Sequence, residues 1–203
     1  MRRLIVQSFL TLDGVMQAPG GPGEDDDGGF AYGGWSVNYW DERMGEVMDR
    51  SMGRPFDLVL GRRTYDIFAA HWPRATEEMG AKPLNDATKY VASRSRPDLA
   101  WRNSVLIEGD VAEGVAALKQ GDGPELQVHG SGNLIQTLMR AGLVDEYRLW
   151  IFPVVVGSGK RLFAEGTVAS GLTQVDSQVS TTGVVMGTYL PAGEIPLGSF
   201  ALE

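Results

Sequence analysis

The stretch Leu126-Gln127-Val128-His129-Gly130-Ser131-Gly132-Asn133-Leu134-Ile135-Gln136 decides the reading of this chain. Leu126 and Val128 read as the end of a buried strand, and Gly130-Ser131-Gly132 as a tight turn. From Asn133 to Ala141 the apolar residues Leu134, Ile135, Leu138 and Met139 fall on one side of a 3.6-residue period, which predicts a one-faced helix. The first-turn amides of such a helix have no partner inside it, and that end of its dipole is positive. Gly130 and Gly132 let an anion approach the backbone, and Ser131 adds a hydroxyl. Gly130, Ser131, Gly132, Asn133 and Leu134 therefore predict a phosphate cradle, although a G-x-G turn alone also serves as plain structural punctuation.

The same strand, glycine turn and helix occurs upstream. Phe56 to Leu60 is a short apolar strand, and Gly61-Arg62-Arg63-Thr64-Tyr65 opens a helix running to about Ala70. Cations are unfavourable at a helix N-terminus, so Arg62 and Arg63 there call for an anion between them, with the Thr64 hydroxyl beside it. Lys89 to Ala92 is a third short strand, and Ser93-Arg94-Ser95-Arg96 at its end places hydroxyls and guanidiniums together. Arginine forks match phosphate oxygens. Ser104 to Ile107 reads as a strand, Val111 to Lys119 as a helix, and Arg148 to Val156 as a long strand in which Pro153 needs a bulge or an edge. Leu172 to Ser180 and Val184 to Leu190, separated by Thr181-Thr182-Gly183, read as a closing antiparallel hairpin.

Strands alternating with helices predict an α/β fold with a mixed, mostly parallel central sheet, helices on both faces and a C-terminal antiparallel hairpin. Arg3 to Leu12 is the first strand by its alternation, ended by Asp13-Gly14. The chain is expected to form one domain over 1–191 with a tail at 192–203. In open α/β sheets ligands bind beyond the carboxyl ends of the strands. The turns at Gly61, Ser93 and Gly130 all lie there, and together they suit a ligand with spaced phosphates.

Composition narrows the partners. The 203 residues carry a net charge of -8, with 43% hydrophobic and 22% charged residues, as expected of a globular protein with a real core. The acidic balance argues against a nucleic acid or an anionic membrane as main partner. No cysteine is present, which removes disulfides, a thiol nucleophile and thiolate metal sites, and two histidines make an imidazole metal site unexpected. With no leader-like segment and no long apolar run, a cytoplasmic location is expected.

Residues 18–34 are glycine-rich and carry Glu24-Asp25-Asp26-Asp27, so a flexible loop or lid is expected. The aromatics that follow, together with Phe68 and Trp72, could wall a pocket for a flat ring or form a dimer contact or core. Gln17, Trp35, Tyr39, Trp40, Phe68 and Trp72 are the candidates for contact with a substrate. Asp41 to Met52 reads as an amphipathic helix with Met44, Val47 and Met48 on one face.

Several of these stretches carry a resemblance. Thr11 to Val15 (T-L-D-G-V), Leu60 to Tyr65 (L-G-R-R-T-Y), Tyr90 to Arg94 (Y-V-A-S-R), His129 to Leu134 (H-G-S-G-N-L), Val144 to Tyr147 (V-D-E-Y) and Pro153 to Phe163 (P-V-V-V-G-S-G-K-R-L-F) occur in this order over nearly the whole chain. The chain thus resembles the dihydrofolate reductase superfamily, in the branch containing the C-terminal reductase domain of the bacterial riboflavin-biosynthesis deaminase/reductase and its stand-alone relatives. The resemblance implies an NADPH-dependent reductase with a sheet of about eight strands, and often a homodimer. It places the cofactor's phosphates at Gly61, Arg62, Arg63 and Thr64, its 2'-phosphate at Ser93 and Arg94, and its pyrophosphate and nicotinamide side at Gly130 to Leu134. The loop from Val15 to Gly34 corresponds to the one that closes over nicotinamide and substrate, though its acidic insert departs from true folate reductases.

The chemistry calls for a positioned acceptor and a proton donor. Asp41, at the start of the first helix, and Asp13, in the turn after the first strand, are the two catalytic candidates, although Asp13 also suits a plain turn. The riboflavin-pathway reductase acts on a phosphoribosylamino-pyrimidine and is usually fused to a zinc deaminase, for which this chain lacks the cysteines. That leaves a stand-alone reductase of a small, flat heterocycle. A non-catalytic NADPH or ligand sensor on the same fold, and a dimeric interaction protein with incidental basic turns, stay open beside it.

Overall fold

The computed structural model describes residues 1–201. Its centre is an eight-stranded sheet made of β1 (Leu4–Thr11), β2 (Phe56–Gly61), β3 (Lys89–Ala92), β4 (Ser104–Ile107), β5 (Glu125–His129), β6 (Glu146–Phe152), β7 (Gly171–Val179) and β8 (Val185–Gly193). The spatial order is β4-β3-β2-β5-β1-β6-β8-β7. The first six strands run parallel, and β8 and β7 close the sheet antiparallel. The helices are α1 (Glu42–Met52), α2 (Arg62–His71), α3 (Ala81–Asp86), α4 (Val111–Gln120) and α5 (Gly132–Arg140).

Helices cover both faces. Leu134, Ile135 and Leu138 of α5 and Val115 of α4 pack with Leu4, Val6, Val59 and Val128 from the strands. On the other face Tyr65 and Phe68 of α2 and Leu84 of α3 pack with Leu58, Leu60 and Val91, while Met44 of α1 packs with Trp150 and Phe152. β2 and β5 are neighbours, yet the helices that follow them leave to opposite faces. Such a switch point opens a crevice at the strands' carboxyl ends.

The structure redraws four local expectations. β1 is buried along almost its whole length, Gln7 and Ser8 included, because it lies between β5 and β6 rather than presenting one wet face. β6 stops at Phe152, since Pro153 has no amide for the ladder. β8 continues through Pro191 to Gly193, paired with Gly171 and Leu172, past Leu190 where the hairpin was expected to end. The six-residue α3, capped by left-handed Gly80, has no counterpart in the sequence reading. Among the described residues no helix is long and apolar enough to cross a membrane.

Candidate functional site

At the switch point lies a cleft of about 2290 Å³. α2 and α5 both begin there, and neither has a side-chain cap or an acidic residue in its first turn. Two of the other helices differ: Asp41 caps α1 through the Met44 amide (2.9 Å), and Asp110 caps α4 through the Glu113 amide (3.0 Å), while the six-residue α3 starts uncapped at Gly80 directly after Glu77 and Glu78. The first-turn amides of α2 and α5 thus keep their positive ends for a guest.

The two turns are locked together by Ser131. It sits in the left-handed region (φ 69°, ψ 53°), its hydroxyl accepts the Gly61 amide at 2.9 Å and donates to Thr64 Oγ1 at 2.8 Å. Gly61 packs closely on this lock: a Cβ there would stand 3.2 Å from both Ser131 Cβ and Oγ, so Ser131 would have to give way by a few tenths of an ångström. The Ser131 hydroxyl, expected to face a phosphate, therefore spends its proton on Thr64, and the free donors are the Thr64 O–H and the backbone amides. Asn133 and Leu134 line the cleft from α5, and Ser93 and Arg94 line it from the end of β3. Ser93 accepts the Ser95 amide at 3.2 Å, and Arg94 makes no ion pair among the described residues.

The arginines at the start of α2 already hold anions of the protein's own. Arg62 bonds Asp66 one turn on at 2.7 Å. Arg63 pairs with Asp25 (2.9 Å) and Asp27 (3.0 Å), and Lys160 joins the same two carboxylates at 2.7 and 2.9 Å. Gln17 fixes that acidic turn, since its Nε2 donates to the Asp25 and Asp27 carbonyls, 2.9 Å each, and its Oε1 accepts the Lys160 amide at 3.0 Å. The 18–34 segment, expected as a flexible lid, thereby has internal ties and a small core of Phe30 on Val15 and Ala18.

The candidate substrate residues divide. Gln17, Trp40, Phe68 and Trp72 line the cleft. Trp35 and Tyr39 do not; both rings meet Phe152 edge-on, at 5.3 and 5.9 Å, in the core under α1. Neither catalytic candidate is part of the cleft wall. Asp13 accepts Thr11 Oγ1 (2.6 Å) and the Gly157 amide (2.9 Å), and the Thr11 hydroxyl leads in holding its carboxyl below the usual range. Asp41 caps α1 and accepts the Thr181 amide (2.6 Å) and hydroxyl (2.7 Å), the hydroxyl leading its downward shift. Both carboxylates are spent on tying chain segments together.

The sequence reading assigned no role to the floor between α1 and α2. Gln7 of β1 and His129 of β5 line it, with Met48 and Met52 of α1 above. Burial, seconded by the Arg148 charge, lowers the His129 pKa to about 4, so the imidazole is neutral at pH 7. Gln127 gives its amide to Glu125 at 2.7 Å, so its Oε1 takes the His129 Nε2–H at 2.8 Å, leaving Nδ1 an acceptor. Glu125 is held in turn by Arg148, and Arg148 by Glu146. A glutamine in the middle of a strand as apolar as Leu4 to Leu10 was the available signal for this floor. Glu24 also lines the cleft, where burial raises its carboxyl pKa against the pull of the Gly20 and Gly21 amides.

The pattern that defines the RibD C-terminal domain matches residues 2–186. The protein YyaP of Bacillus subtilis (strain 168) is 31% identical over 198 residues, covering 93% of this chain and 94% of its own. In structure the chain is similar to a Shewanella sp. PV-4 protein named for riboflavin biosynthesis (TM-score 0.69, 22% identity, 93% of this chain and 98% of that one). It is also similar to dihydrofolate reductase from Enterococcus faecalis complexed with NADP(H) (TM-score 0.59, 18% identity, 94% and 96%). The fold is thus dihydrofolate reductase-like, and the chain belongs to the RibD C-terminal domain family.

Proposed function

We propose that this protein is an NADPH-dependent reductase that delivers a hydride to a small, flat heterocycle. One observation carries the reading: two uncapped, acid-free helix N-termini, locked by Ser131, open side by side at the sheet's switch point. The residues fit a dinucleotide phosphate there. The first-turn amides of α2 and α5 would hold the pyrophosphate, and Arg94, without an ion pair of its own, the 2'-phosphate. Arg63 fits less well, because Asp25 and Asp27 occupy it.

NADPH, when bound, supplies the hydride. The chain's own part is orientation and the exclusion of water. Gln17 and the acidic turn hold the 18–34 segment over the cleft, and Trp40, Phe68 and Trp72 offer flat apolar surface for a ring. Neutral His129 offers an acceptor on the floor, and Glu24 is the carboxyl in the cleft wall biased toward keeping its proton. A second reading, a binder of NADPH without turnover, is favoured by the placement of Asp13 and Asp41 outside the cleft.

Titration with NADPH and NADH, followed by the fluorescence of Trp40 and Trp72, tests the proposal. NADPH binds more tightly, and Arg94→Ala erases most of the preference. One charge-assisted contact of ~1.5–3 kcal/mol corresponds to roughly 10- to 100-fold. Equal affinity for the two nucleotides, or none for either, refutes the phosphate assignment. Oxidation of bound NADPH by an acceptor separates the reductase from the binder.

A further inference from the structure

The substrate half of the cleft differs in charge from the phosphate half. All of the cleft's lysines and arginines come from the start of α2, the end of β3 and the turn before Leu162. Each but Arg94 is matched by a carboxylate: Arg62 by Asp66, Arg63 and Lys160 by Asp25 and Asp27, and Arg161 by Asp13. Arg94 lies beyond β3, three strands from β1, on the side given above to the dinucleotide.

The space between α1 and α2 has none of these. Its walls are Met48 and Met52 from α1, Phe68 from α2 and Trp72 directly after α2, with Gln7 and His129 beneath. Its formal charges among the described residues are acidic: Asp49 on α1, Glu24 in the loop and Glu78 beyond α2. The His71 ring, also in the lining, meets Trp72 edge-on at 4.9 Å. His129 stays neutral well below pH 7. Of the two helix starts near it by chain, that of α1 next to Trp40 is closed by the Asp41 carboxylate, and that of the six-residue α3 at Gly80 follows directly on Glu77 and Glu78.

Resting on the reductase reading above, we infer that the substrate carries no phosphate: it is a neutral or cationic planar ring system held between α1 and α2. A phosphoester placed there would meet carboxylates, apolar carbon and a neutral imidazole, with no lysine or arginine to replace its water and, for a helix start, only that of the six-residue α3 behind Glu77 and Glu78. Specificity against phosphorylated rings is thus built in by what surrounds the site as much as by what it offers.

The test uses a matched pair of probes, riboflavin and its phosphate ester FMN, with the flat cation proflavine as third. Each is titrated calorimetrically into the full chain already saturated with NADPH, so the readout is binding and not turnover. Proflavine and riboflavin bind, and FMN binds at least ~10-fold more weakly than riboflavin. Asp49→Lys, an exposed change on α1, narrows that gap while leaving NADPH affinity unchanged. Equal or tighter binding of FMN, or no binding of any of the three to the NADPH complex, overturns the inference. Failure of NADPH itself to bind is a different result, which sinks the reductase reading and this inference with it.

Discussion

Ser131→Ala is the most direct probe of the lock between the two turns. The substitution removes the acceptor of the Gly61 amide (2.9 Å) and the donor to Thr64 Oγ1 (2.8 Å), and leaves a half-buried amide unmet. The left-handed backbone at φ 69° is equally awkward for serine and alanine, so strain cancels in the comparison. Two neutral hydrogen bonds at ~0.5–1.5 kcal/mol each, one of them leaving its partner unsatisfied, amount to about 2 kcal/mol. Urea unfolding by linear extrapolation reads this as a lower midpoint at unchanged slope. A double-mutant cycle with Thr64→Val isolates the hydroxyl pair, and its expected coupling is about 1 kcal/mol. NADPH affinity falls in the same variant, because the two helix ends are no longer held in register. A loss under ~0.5 kcal/mol together with zero coupling would refute the lock, since no contact of this geometry that matters could be so cheap.

Two further outcomes follow from charge. His129 is displaced from 6.5 to about 4 by burial and then by Arg148, and Lys89 from 10.5 to about 8 by burial and then by Arg102. In both, the unfolded chain binds the proton that the native state releases, so stability rises with pH from 4 to 6.5 and again from 8 to 10.5, by about 3 kcal/mol in each window. Glu24, shifted upward by burial, opposes the lower window, so the His129 part is read as the slope lost in His129→Phe; an unchanged slope sinks it. The second outcome concerns the acidic turn. Raising salt to ~1 M, where the Debye length is ~3 Å, weakens the pairs of Arg63 and Lys160 with Asp25 and Asp27 and speeds proteolysis within residues 20–34. The double change Asp25→Asn, Asp27→Asn has the same effect and abolishes further salt dependence; cleavage indifferent to salt would disprove the tie.

What the chain announces locally and what it hides follow a physical divide. Strand, glycine turn and helix at Gly61 and Gly130 are local patterns, and β3, β4 and α5 fall where periodicity places them. The position of β1 in the sheet is not local: only pairing with β5 and β6 makes Gln7 and Ser8 buried. α3 is short and contains Pro83, so it never completes a recognisable period. The cleft followed the same rule. Helix ends and Arg94 were readable from spacing, but that Arg63 would be claimed by carboxylates some forty positions away, or that Trp35 would turn into the core and Trp40 into the cleft, depends on how a long loop folds back. Asp13 and Asp41 lie outside the cleft wall and tie chain segments together, and the sequence could not show this because a carboxylate beside a turn or a helix start reads the same whether it serves chemistry or ties the chain.

The place of β1 also bears on how the chain is made. Its last residue, Thr11, leaves the ribosome long before Glu125 and Glu146, the first residues of its two neighbours. At roughly 5–20 residues per second the uncharged segment from Leu4 to Leu12 waits on the order of 10 s without a partner. An apolar, strand-prone segment left waiting is an invitation to pair with another nascent copy. Arg2 and Arg3 stand directly before it, in the position of gatekeepers during synthesis. In the finished fold the same two side chains close onto Asp57 of β2 and Glu146 of β6, so the charges that guard the strand while it waits become clasps that fasten its start into the sheet.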